Sequence, residues 1–210
     1  MASQLHLSDG ETASGNPESL KLAALGYAAE GWAVFPLHTP VTGGCSCRRD
    51  GCSDVGKHPR TEHGFKDATT DCNTISFWWG KWPQANLGVV TGLTSRLVVV
   101  DVDKKSGGLE TMADWMDING PIHTRTVATG GGGTHYYFQA DGQKFETNCG
   151  KVGPGIDVRG EGGYIVVPPS LHESGERYEW ESNDSITLVP DWLAAKIRDA
   201  EKRPNIPAPQ

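Results

Sequence analysis

Long apolar runs are missing from this chain of 210 residues: none reaches the roughly 18 that a membrane helix needs. Its first residues, Met1 to Gly15, carry neither the basic flank nor the apolar stretch of a signal peptide, so a soluble, intracellular protein is expected. Positive charge is also in deficit, with 19 Lys and Arg against 26 Asp and Glu and a formal charge of -7. That balance disfavours a protein that coats nucleic acid by neutralising phosphates, so any nucleic-acid contact must be local. Cysteines are too few and too clustered for a disulfide framework: there are five, and Cys45, Cys47 and Cys52 crowd together while Cys72 and Cys149 stand apart. An odd, clustered set suits metal ligation in a reducing compartment better than cross-linking. No internal repeat is present, and the length suits one domain rather than two.

What is present alternates between helical and strand periodicity. Residues 1 to 15 read as a flexible leader, and residues 203 to 210, with Pro204, Pro207 and Pro209, as an extended tail; the domain is expected between them, over 16 to 202. Asn16 can cap a helix that begins at Pro17, faces inward with Leu20, Ala23, Ala24, Tyr27 and Ala28, and stops at Gly31. Trp32 to Pro36 reads as a strand. A Gly/Cys-rich insertion over residues 41 to 64 follows, then a helix capped by Thr70 or Asp71, running through Ile75, Phe77, Trp78 and Trp79 to Trp82 and ended by Pro83. Trp78, Trp79 and Trp82 could stack on bases, but helical spacing favours a core role.

Strands are expected at about 87 to 91 and 96 to 102, a helix at about 107 to 118, and strands at Thr124 to Thr129, Thr134 to Gln139 and Ile156 to Arg159. The turn Gly160-Glu161-Gly162-Gly163 suggests a hairpin onto Tyr164 to Val167, and a last helix starts near Pro190 and Asp191 with Trp192, Ala195 and Ile197 inward. The expected class is α+β, with helices packed on largely antiparallel strands.

Three segments suggest chemistry. In Val98-Val99-Val100-Asp101-Val102-Asp103 an apolar strand ends in two carboxylates, which the two-residue period puts on one face. Such a pair is costly unless a cation lies between, and Mg²⁺ or Mn²⁺ prefers oxygen ligands; alternatively one aspartate caps the next helix and the other is merely exposed. The run from Thr129 through Gly130 to Gly133 and Thr134 leads straight into His135, so backbone N–H groups and an imidazole could meet an anion, unless this is a mobile loop beside a core histidine. In Ile156-Asp157-Val158-Arg159 the aspartate offers a third metal carboxylate, and Arg159, two residues on, could pair with phosphate or with Asp157 itself.

These segments, taken in order, resemble the motifs of the archaeo-eukaryotic primase superfamily and, more narrowly, the bifunctional DNA primase/polymerase N-terminal (prim-pol) domain of plasmid and phage replication proteins. The likeness covers about residues 20 to 185 and includes Gly56-Lys57-His58-Pro59-Arg60, Asn86-Leu87-Gly88-Val89-Val90-Thr91-Gly92 and Val166-Val167-Pro168-Pro169-Ser170. It implies a small αβ unit packed with a sheet like an RNA-recognition module. It further implies an enzyme of a bacterial or archaeal cytoplasm that uses a DNA template and primer with dNTPs or NTPs, beside a helicase that is fused or separate. By this resemblance Asp101, Asp103 and Asp157 would hold two Mg²⁺ or Mn²⁺ ions and His135 would touch the triphosphate. Lys57, Arg60, Thr129, Gly133 and Arg159 are the expected nucleotide contacts, with Arg60 alternatively on the template.

Cys45, Cys47, Cys52 and His58, spaced C-x-C-x4-C-x5-H, could form a Cys₃His zinc site that orders a segment with little core of its own. Otherwise His58 is free to contact nucleotide and the thiols stay unligated. Cys72 and Cys149 are expected to be ordinary residues, and His38, His63, His123 and His172 have no partner spacing. Clustered strand aspartates also serve nucleases and phosphoesterases, and a zinc-ordered, non-catalytic nucleic-acid-binding module is the third reading.

Overall fold

The computed structural model describes residues 17 to 202; the Asn16 cap, the leader and the Pro-rich tail fall outside them. Helix α1 (Pro17–Ala29) buries Leu20, Ala24 and Tyr27, and the chain leaves it through Gly31 at φ 85°. Strand β1 (Val34–Leu37) follows, then the short pair β2 (Pro40–Val41) and β3 (Gly44–Cys45) inside the Cys-rich insertion. Helix α2 (Cys72–Lys81) is capped by Asp71, whose carboxylate accepts from Thr74 N at 2.8 Å. Next come β4 (Asn86–Val90), β5 (Leu97–Val102), α3 (Gly108–Asn119), β6 (Thr126–Ala128) and β7 (Thr134–Gln139). The chain continues through β8 (Asn148–Gly153), β9 (Ile156–Arg159), β10 (Tyr164–Val167), β11 (Glu179–Trp180), β12 (Thr187–Leu188) and α4 (Asp191–Glu201). Among the described residues no helix is long and apolar enough to cross a membrane.

The strands form two main sheets. One is antiparallel, in the order β1-β4-β10; the other runs β11-β6-β7-β5-β9-β8, and β12 adds to β7 in parallel beyond the end of β6. Strand β5 is central and buried on both faces, which explains its nearly unbroken apolar run. Val98, Val100 and Val102 pack with Phe138, Ile156 and Val158 against Met112 of α3 and Leu193 and Ile197 of α4. Leu97 and Val99 point the other way, into a second cluster with Tyr137, Val127, α1, α2 and the three-stranded sheet. Asp101 follows on that second face, where the apolar lining stops. The result is the mixed α+β class with largely antiparallel strands.

Two local expectations are corrected. The segments at 156 to 159 and 164 to 167 do not form a hairpin: β9 pairs with β5 and β8, whereas β10 pairs with β4 in the other sheet. The glycine turn is a crossover between sheets, and Gly160 is glycine because a Cβ there would collide with the carbonyl of Phe145. On α4 it is Leu193, Ile197 and Ala200 that are buried; Ala195 is exposed and Trp192 half-buried. On α2, Ile75 and Trp79 enter the core and Trp78 packs against it, but Phe77 is 66% exposed.

The other segments quoted for the resemblance, outside the aspartate strands, meet at one buried side chain. Asn86 Nδ2 donates to Gly56 O at 2.9 Å and to Leu171 O at 2.8 Å, and its Oδ1 accepts from Leu171 N at 2.9 Å. Beside it, Leu87 N donates to Ser170 Oγ at 2.9 Å. A single amide thus ties the insertion, β4 and the segment after β10 together. Asn86→Ala leaves these backbone groups without partners and is expected to lower stability by about 2–3 kcal/mol, read from urea denaturation; a variant as stable as the parent would contradict this tie.

Candidate active site

On the face of β5 where the apolar lining stops, three residues stand in one row across three strands. His135 of β7 and Asp157 of β9 are the direct partners of Asp101 on either side. Directly opposed residues share a face, so two carboxylates and an imidazole converge by register alone. His135 Nε2 lies 3.4 Å from Asp101 Oδ1. Arg159, two residues after Asp157 on the same face, places Nη2 2.9 Å from Asp157 Oδ2 and 3.6 Å from Asp101 Oδ2. The remaining oxygen of Asp157 accepts from Gly150 N at 2.8 Å. Burial pushes the Asp101 carboxyl up, but His135, Arg159 and Lys57 outweigh it and hold the group below its ordinary value.

Asp103 sits at the strand end and does what a capping residue does: its carboxylate accepts from Lys105 N at 2.7 Å and from Ser106 Oγ at 3.3 Å, opening the 3-10 turn Lys104–Ser106. It nonetheless lines the same cleft as Asp101 and Asp157, a cleft of about 570 Å³. His135, Arg159, Lys57, Thr129 and Gly133 line it too. The glycine segment is a closed turn, with Thr129 N donating to Gly133 O and Gly133 N to Thr129 Oγ1, both at 2.9 Å. Gly133 passes so close to β5 that a Cβ would collide with Val102 O. His135 is buried, and its Nδ1 has no hydrogen-bond partner among the described residues.

Arg60 is not brought to the cleft. Its guanidinium points inward, with Nε donating to Leu37 O at 3.0 Å and Nη2 to Ser46 Oγ at 2.6 Å, and it lies over the Trp82 ring. Conversely, His172, Tyr178, Lys105 and Asp54 line the cleft although no spacing singled them out. They come from turns and short segments, where periodicity carries no signal; His172 does follow the Val166 to Ser170 motif by two residues.

Residues 24–192 match the family described as bifunctional DNA primase/polymerase, N-terminal. The chain belongs to that family. A DNA primase or polymerase role in nucleotidyl transfer is thereby assigned at the family level, with DNA and nucleotides as substrates. No curated protein sequence matches the chain.

In this member of the family the Cys-rich insertion gathers a second cluster of side chains. One donor atom each from Cys45, Cys47, Cys52 and His58 lies within 4.8 Å of all the others, a group that could hold a metal ion. Three thiols and an imidazole are the donor set of structural zinc sites. His58 Nδ1 is 2.8 Å from Asp54 O and 3.9 Å from Cys52 Sγ, while its Nε2 is buried without a hydrogen-bond partner among the described residues. Hydrogen bonding from Arg49 N lowers the Cys47 thiol to about 7, against burial. Around the cluster, Ser46 is held by Arg60, Thr39 N and His38, and His38 stacks on His58 with ring centroids 4.5 Å apart. Cys72 and Cys149 are exposed and lie outside the group.

Two outcomes follow from this geometry. Purified protein is expected to carry about one soft divalent ion per chain, lost in the Cys45→Ser/Cys52→Ser double variant; unchanged metal content by elemental analysis would rule the cluster out. Because Asp101 titrates below its ordinary value, its pairing stabilises the fold above that value, and the contribution is lost as pH falls through the folded pKa. Asp101→Asn should therefore cost stability at neutral pH, in protein freed of divalent ions, and the gap to the parent should close as pH falls below the ordinary carboxylate range. A gap independent of pH in urea titrations would contradict the pairing.

Proposed function

We propose that the cleft performs template-directed transfer of a nucleotide onto a primer 3'-hydroxyl, dependent on Mg²⁺ or Mn²⁺, in phage or plasmid DNA replication. The observation that carries this reading is the pairing of Asp101 and Asp157 on neighbouring strands with a cationic group, Arg159, between them. Opposed carboxylates on a sheet need positive charge, and a guanidinium meets that need in protein without divalent ions. The donor set is all oxygen, with Asp103 at the strand end as the third carboxylate, and so suits hard divalent cations. When bound, such ions would lower the pKa of the attacking hydroxyl and neutralise charge on the departing pyrophosphate.

The protein's own groups do the rest. Asp101, Asp103 and Asp157 supply the ligand oxygens. Arg159, drawn off the carboxylates, would turn its fork to the triphosphate, joined by the Lys57 ammonium and by the Gly131 N–H of the Thr129–Gly133 turn, whose other amides at Thr129, Gly132 and Gly133 close the turn itself. His135, which lines the cleft beside Asp101, would lie next to the triphosphate. In this assignment Arg60 braces the insertion and contacts no nucleotide. The likeness of the two-sheet arrangement to the archaeo-eukaryotic primase fold, with its RNA-recognition-like half, belongs to the same proposal, as does Zn²⁺ in the Cys₃His group.

With a primed DNA template, Mn²⁺ or Mg²⁺ and labelled dNTPs, the primer should lengthen, and Asp101→Ala/Asp103→Ala should reduce the rate by roughly 10³-fold. A primer shortened without any triphosphate would replace this reading with a nuclease. An unchanged primer, with DNA binding intact in the double variant, would replace it with a non-catalytic module.

A further inference from the structure

The two ligand groups that close the metal cluster flank residues that face the cleft. Cys52 and His58 are members of the cluster, and between them Asp54 and Lys57 both line the cleft. From the structure we infer that the metal in the Cys₃His cluster positions Lys57 for the phosphates of the nucleotide, so that cluster occupancy sets nucleotide affinity. This inference rests on the reading of the cleft as a nucleotide site.

Among the described residues, the hydrogen bonds that tie residues 52 to 58 to the rest of the fold lie on the C-terminal side. Tyr164 OH donates to Lys57 O at 3.0 Å, His38 N to His58 O at 2.8 Å, and Asn86 Nδ2 to Gly56 O at 2.9 Å. Gly56, at φ 75°, lies so close to Pro40 that a Cβ would stand 2.6 Å from its Cδ, which fixes where the backbone enters Lys57. On the N-terminal side, residues 48 to 51, 53 and 54 are exposed or half-buried and offer no apolar side chain to the core. What holds Cys52 near His58 within the chain is the turn in which Asp54 O accepts from Lys57 N at 3.0 Å and lies 2.8 Å from His58 Nδ1. A metal bound by Cys45, Cys47, Cys52 and His58 would close this loop from both sides and restrict the Lys57 backbone to one conformation. A lysine ammonium on a four-carbon stem gains most from such fixing, since its own rotamer freedom works against a defined phosphate contact.

The consequence is non-additivity. Binding of dATP with Mg²⁺, without DNA, is measured by calorimetry for zinc-loaded parent, Lys57→Met, Cys52→Ser and the double variant, with far-UV circular dichroism as the check on folding. Lys57→Met is expected to weaken dATP by about tenfold and Cys52→Ser by at least about threefold, while the double variant is no weaker than Lys57→Met alone. Cys72→Ser, an exposed thiol outside the cluster, should bind as the parent does. Should Cys52→Ser not fold, zinc is removed from the parent and from Lys57→Met with a zinc-selective chelator, then restored with Zn²⁺ or Cd²⁺ before Mg²⁺ and dATP are added. Affinity should then fall and recover in the parent and stay constant in Lys57→Met. Equal dATP affinity with and without the cluster metal, or losses that multiply in the double variant, would overturn the inference while leaving the cleft a nucleotide site. A zinc-loaded parent that binds no dATP would overturn both.

Discussion

Asp101 and Asp157 stand directly opposite each other on β5 and β9, a pairing that destabilises a sheet unless positive charge lies close by. Nearly everything around them answers that constraint. Arg159 reaches both carboxylates from two residues along β9, His135 faces Asp101 from β7, and Gly150 N donates to the one oxygen of Asp157 that Arg159 leaves free. The arrangement surrounds its carboxylates with donors and holds them side by side, where a divalent ion would be attracted. Its geometry depends on the packing around it.

That packing is visible in β5. Val98, Val100 and Val102 anchor one face under α3 and α4, and Leu97 and Val99 anchor the other against the core shared with the three-stranded sheet. A strand fixed on both faces cannot slip its register by one residue without exposing its whole apolar set, so Asp101 is held opposite both of its partners. The crossover at Gly160–Gly163 then brings β10 alongside β4, so that Tyr164 of the three-stranded sheet lines the cleft with Asp157 and Arg159 of the larger sheet. Rigid strands carry the charged row, and turns carry the groups around it.

Much of this could be read along the chain. The four apolar residues before Asp101 announced a buried strand, the two-residue period put Asp101 and Asp103 on one side, and Asp71 announced a helix start. The Cys45, Cys47, Cys52 and His58 spacing announced a compact cluster, which the fold assembles. Pairing was not readable, because alternation identifies a strand and not its neighbour; the turn after Arg159 therefore suggested a hairpin where the chain changes sheets. Strand β8 was missed, since Asn148-Cys149-Gly150-Lys151-Val152-Gly153 has two glycines and little β-branched character. Arg60 ends the Gly56-Lys57-His58-Pro59-Arg60 motif, which by resemblance implied a nucleotide or template contact, yet its partners, Leu37 O and Ser46 Oγ, are set by tertiary folding alone. His172 and Tyr178 entered the cleft from a short irregular segment between β10 and β11, where no period exists to reveal them.

The most direct test of the central claim locates the ions themselves. Crystals grown with Mn²⁺ and a non-hydrolysable deoxynucleoside triphosphate should show anomalous scattering between Asp101, Asp103 and Asp157, with the Arg159 guanidinium moved from the carboxylates to the triphosphate. Manganese bound elsewhere, with Arg159 still bridging Asp101 and Asp157 beside the nucleotide, would contradict the account.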